Sequence, residues 1–104
     1  LGMNVTSLGL EGGTVESIDF GALKAQVNAA VAAGDRVAVI YSQGDKTAEK
    51  ALSGLEIDEY VCTVKECKGL EYERVFACGD MSDREKYVAY TRALAKLYIC
   101  NLNS

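Results

Sequence analysis

The chain has 104 residues and a mass of 11.2 kDa, room for one small domain, and its 49% hydrophobic and 25% charged residues make an ordinary globular balance. No apolar run approaches the ~18 residues of a membrane span, and the opening Leu-Gly-Met-Asn carries neither a basic nor an apolar signal region. A net charge of −4 and a pI near 4.8 argue against a free-standing, non-specific nucleic-acid binder, which is usually basic.

From Asn4 to Ser17 the chain is rich in Gly and β-branched residues, and Gly12-Gly13 reads as a turn between two short extended pieces. Asp19 is placed to cap a helix running to about Ala33, with Leu23, Val27, Ala30 and Val31 on one apolar face and Gly34 as the stop. Arg36 to Tyr41, with four consecutive apolar residues, reads as a strand buried on both faces, the habit of parallel sheets. A polar turn, Ser42-Gln43-Gly44-Asp45, leads into a helix to about Leu52, and strands follow at Tyr60 to Val64 and Arg74 to Cys78. Ser82-Asp83-Arg84-Glu85 has the spacing of a capping box and opens a helix expected to end near Lys96, before a last strand from Leu97 to Cys100. Strands alternating with helices predict a three-layer α/β domain with a mainly parallel sheet.

Charge and cysteine placement narrow the chemistry. Seven of the eleven basic residues, Lys65, Lys68, Arg74, Arg84, Lys86, Arg92 and Lys96, lie beyond residue 60, so any polyanion contact belongs to the C-terminal half. Cys62, Cys67, Cys78 and Cys100 include no C-x2-C pair and have no histidine to join them, so no metal is expected. Cys62, Cys78 and Cys100 sit in apolar strand-like runs, where a thiol serves as a small hydrophobe, a pattern that suits a reducing cytosol.

In open parallel sheets ligands collect beyond the carboxyl ends of strands, which directs attention to the loops after Ile40, Val64 and Cys78. The middle loop, Thr63-Val64-Lys65-Glu66-Cys67-Lys68-Gly69-Leu70-Glu71-Tyr72, is charged and glycine-containing between two apolar strands. Gly69 can be a plain turn there, and the charges can be solvated. Likewise Arg84, Val88, Arg92 and Lys96 recur at about four-residue spacing, so Arg92 can belong to a solvated basic stripe or can clamp a phosphoryl group. Spacing alone leaves both open.

Thr63 through Tyr72, centred on Lys68-Gly69-Leu70-Glu71-Tyr72, resembles motif V of UvrD/Rep-type superfamily 1 helicases, and Tyr87-Val88-Ala89-Tyr90-Thr91-Arg92-Ala93 resembles their motif VI. Both stand in the family's order on the expected elements. The resemblance implies a RecA-like, P-loop NTPase-like fold over residues 1–104, with the motif-bearing part at about 36–101. It implies that Arg92 is the arginine finger on the ATP γ-phosphate, that Glu71 binds the nucleotide ribose with Gly69 allowing close approach, and that Thr63 lies near the single-strand backbone. Lys65 stands where many relatives have histidine, which keeps a phosphate contact and removes a stacking role.

No phosphate loop, no Walker B acid pair and no Tyr-Arg-Ser of motif IV occurs, the last being expected upstream of residue 1. The resemblance therefore implies the C-terminal domain of an ATP-dependent DNA helicase, inactive by itself. ATP with Mg2+ would be held mainly by an N-terminal RecA-like domain of the same parent chain, and the nucleic-acid partner would be single-stranded or duplex DNA. A bacterial cytoplasm is the expected setting, with no membrane partner. The alternative is a non-catalytic nucleic-acid or protein-interaction module derived from such a domain, with Lys65, Lys68 and Arg74 as a residual phosphate patch.

Overall fold

The computed structural model describes residues 14–102. In chain order the elements are β1 (Thr14–Asp19), α1 (Phe20–Ala32), β2 (Val37–Tyr41), α2 (Lys46–Ser53), a 3-10 turn at Asp58–Tyr60, β3 (Val61–Thr63), β4 (Tyr72–Cys78), α3 (Asp83–Tyr90) and β5 (Ala93–Asn101). The turn expected at Gly12-Gly13 and the extended piece before it lie outside the described residues; the second piece is β1. Asp19 does occupy the N-cap of α1, with extended backbone, but its side chain makes no capping bond.

All strand pairs are parallel, in the order β1-β5-β4-β2-β3. Connections β1→β2 and β2→β3 move towards the β3 edge, whereas β3→β4 and β4→β5 move back. If every crossover has the same hand, the first two must pass over one face and the last two over the other. The packing follows this rule. Leu23, Val27 and Ala30 of α1 and Leu52 of α2 bury Val37, Val39, Phe76, Cys78, Tyr98 and Cys100. Val64 and Cys67 of the β3–β4 segment, with Ala89 and Tyr90 of α3, bury Ala38, Ile40, Val75, Ala77 and Leu97. The result is a three-layer, RecA-like α/β domain, in which β2, apolar on both faces, is an interior strand between β4 and β3.

Strand β4 begins at Tyr72, two residues before the expected Arg74, and two further elements differ more. Helix α3 ends at Tyr90, six residues before Lys96, and β5 begins at Ala93, four before Leu97. Ala93, Leu94 and Ala95 are good helix formers, but pairing with β4 outweighs that propensity: Tyr72 N–H donates to Arg92 O at 2.9 Å, and Tyr72 lies in register with Ala93. The Thr91 hydroxyl closes the helix by donating to the carbonyls of Tyr87 and Val88 at 2.8 and 3.1 Å. Lys96 is consequently a strand residue, and the basic stripe of Arg84, Arg92 and Lys96 does not exist as a helical face.

At the carboxyl ends, the loops after β2 and β4 leave towards opposite faces, yet they are tied to each other. Asp45 caps α2 by accepting from Ala48 N through Oδ1, and its Oδ2 accepts from Asp80 N, both at 3.0 Å. Gly79, at φ +78°, makes room for this, since a Cβ there would sit 2.5 Å from Asp45 Oδ2 and 3.1 Å from Ala48 Cβ. Gly69 has a similar φ of +83° with nothing within 4 Å of a Cβ. Gly69→Ala is thus expected to cost only the left-handed backbone penalty, about 1–2 kcal/mol. Gly79→Ala should cost at least about 1 kcal/mol more, because the Asp45 cap has to move. Urea unfolding of both variants checks the difference, and equal losses would mean that the Asp45 tie contributes no stability.

Candidate functional site

The segment between β3 and β4 organises the site. Thr63 and Cys78 both pair with Tyr41, so the end of β3 is level with the end of β4, whereas Glu71 precedes the start of β4. Residues 64–71 must therefore descend the height of β4 from Cys78 to Tyr72, about 20 Å at strand rise. The descent opens with a reciprocal pair: Thr63 Oγ1 accepts from Glu66 N at 3.2 Å, and Glu66 Oε1 accepts from Thr63 N at 2.8 Å. Cys67 is fully buried and donates its thiol to Val64 O at 3.1 Å. Gly69 then supplies the left-handed turn before exposed Leu70 and Glu71.

This path separates the expected residues into two groups. Thr63 and exposed Lys65 lie at the carboxyl end of β3, and the Thr63 hydroxyl, used as an acceptor, keeps its own hydrogen for donation. Glu71 and Arg92 lie at the opposite edge, immediately before β4 and β5, with Gly69 on the approach. The loop after β3 was singled out as lying beyond a carboxyl end; the structure carries its last residues, with Glu71, to the amino edge, where Arg92 also lies.

Arg92 is held on three sides. Its carbonyl accepts from Tyr72 N, its own N–H donates to Ala89 O at 3.2 Å, and Nη2 donates to Thr91 Oγ1 at 3.2 Å. Its Nε is buried and has no hydrogen-bond partner. A desolvated donor without an acceptor costs roughly 1–3 kcal/mol. Its positive charge also bears on the Cys67 thiol, which burial pushes up and Arg92 draws down. Arg36, not singled out in the sequence, stands at the same edge with its guanidinium carbon 5.8 Å from the centre of the Tyr72 ring. Only the β2–β4 register brings the two together, so no local signal could have found it.

Arg74 is not available as part of a phosphate patch. Its Nε donates to Asp35 Oδ2 at 2.6 Å and its Nη1 to the Tyr98 hydroxyl at 2.7 Å. Lys96 pairs with Glu16 at 2.9 Å and lies 4.8 Å from the centre of the Tyr98 ring, itself stacked on Phe76 at 4.2 Å. Both are on the α1 face. Burial pushes the Cys62 thiol up to about 12. Among the described residues no cluster of three or more His, Cys, Asp or Glu could hold a metal ion, and no helix is long and apolar enough to cross a membrane.

At the carboxyl edge a cavity of about 500 Å³ is bordered by Asp19, Asp45, Asp80, Lys86 and Asn101, and none of the expected site residues lines it. Beside it, Glu85 joins the loop after β2 to α3. Its Oε2 accepts from Ser42 Oγ at 2.7 Å and its Oε1 from Ser82 N at 2.9 Å, completing a capping box with the Ser82 side chain.

No protein-family model matches the chain, and no curated protein does. Among solved structures, it is similar to the C-terminal domain of a possible DNA helicase from Lactobacillus plantarum WCFS1, at 18% identity and a TM-score of 0.58, covering 88% of this chain and 74% of that one. At this identity the likeness establishes a shared fold.

The Ser42 and Ser82 hydrogen bonds hold the Glu85 carboxyl below its ordinary value. A carboxylate depressed on folding contributes stability that is present above its unfolded value and lost as pH falls through its folded value. Stability is therefore expected to drop from about pH 4.5 downward, less steeply in Glu85→Gln than in the wild type. Urea midpoints between about pH 3 and 7 measure this, and parallel curves would show that Glu85 carries none of the acid sensitivity.

Proposed function

We propose that this chain is the second RecA-like domain of a UvrD/Rep-type superfamily 1 DNA helicase, supplying half of an ATP site and part of a track for single-stranded DNA. The observation that carries the reading is the hydrogen bond from Tyr72 N to Arg92 O. It places Glu71 and Arg92, from the two segments that resemble motifs V and VI, side by side at one sheet edge. The similarity to a domain described as that of a possible DNA helicase supports the same reading.

In this reading the residues present fit a nucleotide: Arg92 has a buried donor in need of an acceptor, and Glu71 is an exposed carboxylate able to accept from a ribose hydroxyl. ATP with Mg2+, gripped chiefly by an N-terminal RecA-like domain of the parent, supplies the phosphoryl group and its counter-charge. Arg92 stabilises the charge that develops on the transferring phosphoryl oxygens, a role suited to a planar, permanently charged fork. At the other end of residues 64–71, Thr63 and Lys65 donate to the phosphates of the DNA strand, contacts that position without reading sequence. The rival reading, an interaction module with Lys65, Lys68 and Arg74 as its phosphate patch, loses Arg74 to Asp35 and Tyr98.

The 104-residue chain alone is expected to hydrolyse no ATP. Fused to its phosphate-loop domain, it should do so, and Arg92→Ala should lower kcat by about 10³-fold or more with little change in the KM for ATP. Steady-state kinetics on the fused protein test this. Turnover by the chain alone, or an undiminished kcat in Arg92→Ala, would sink the proposal.

A further inference from the structure

We infer that Arg36 is a second phosphate-binding residue at the edge that carries Arg92, parked on the Tyr72 ring until an anion draws it off; this rests on the nucleotide reading above. Arg36 directly precedes β2, and strand alternation places it on the same face as Ala38 and Ile40, the face covered by α3 and residues 64–71. Its backbone is fixed: the N–H donates to Glu73 Oε1 at 2.6 Å, and the carbonyl accepts from Arg74 N at 3.1 Å. Its side chain is exposed and is held by the Tyr72 ring contact. An exposed contact of this kind is weak and easily exchanged for a charge-assisted bond to phosphate.

The position suits a polyphosphate. Strands β2, β4 and β5 are consecutive neighbours, so Arg36 and Arg92 start about 10 Å apart, two strand spacings, with Tyr72 between them. Tyr72 is bonded through its backbone to Arg92 on one side and lies under Arg36 on the other. Arg74 and Lys96, also near this edge, are on the opposite face and held by Asp35 and Glu16. Two guanidiniums flanking one ring suit a ligand with anionic oxygens in series, which a single carboxylate or phosphate monoester does not provide. The nearby carboxylates confine that ligand: Glu73 is engaged by the Arg36 amide, and Glu71 would repel phosphate while accepting a sugar hydroxyl.

The test is an NMR titration of the 104-residue chain with inorganic tripolyphosphate and, separately, adenosine, following backbone amides, the arginine Nε–H signals and the Tyr72 ring. Tripolyphosphate should shift the signals of Arg36, Arg92 and Tyr72. Arg36→Ala should weaken its binding roughly tenfold while leaving adenosine unaffected. Arg36→Lys keeps the charge and the backbone bonds, guards against a misfolded alanine variant, and should recover only part of the affinity. If Arg92→Ala weakens tripolyphosphate binding but both Arg36 variants bind as the wild type does, the inference falls and the nucleotide reading survives. If Arg92→Ala also has no effect, both fall.

Discussion

The return of the chain from the end of β3 to the start of β4 is the constraint on which the other features depend. In an all-parallel sheet every strand starts at the same edge, so a chain leaving Thr63 must travel back the full height of the sheet before Tyr72 can begin. Such returns normally take a connection of about a dozen residues or more, usually with a helix in it. Here residues 64–71 suffice, and they must also step sideways across β2. The distance works out at about 2.5 Å per residue, more than the 1.5 Å rise of a helix and less than that of a strand. Neither regular structure fits, so the path is held by particular contacts: the Thr63–Glu66 pair, the buried Cys67 and the left-handed Gly69.

The amino edge of the sheet has two faces with opposite electrostatic characters. On the α1 face, Arg74 and Lys96 meet Asp35 and Glu16 around the stacked Phe76–Tyr98 rings, so each cation there already has a carboxylate. On the other face, Arg36 rests on an aromatic ring and Arg92 keeps a buried donor without an acceptor. Among the described residues, neither Arg36 nor Arg92 forms an ion pair of the kind that holds Arg74 and Lys96.

Much of the fold was legible because local signals agreed with tertiary demands. Four consecutive apolar residues before Tyr41 marked β2 as an interior strand, and Ser82 with Glu85 marked the start of α3. The end of α3 was not legible, since Ala93, Leu94 and Ala95 favour a helix and yield only to a partner strand distant in sequence. The start of β4 was hidden for a related reason: Tyr72 and Glu73 adjoin a charged, glycine-containing loop and pass for part of it, yet Tyr72 already pairs with Ala93. For the site, residue types could nominate Glu71 and Arg92, but strand order and alternation determine that they share an edge with Arg36 and that Arg74 faces away.

Arg92 is anchored unusually firmly for a residue between two elements. Its carbonyl takes the hydrogen bond that begins the β4–β5 pairing, and the nine-residue β5 that follows lies between β4 and β1. A pull on its guanidinium is therefore transmitted in shear to neighbouring strands on both sides, not dissipated in a compliant loop. Any load placed on Arg92 thus passes into paired strands.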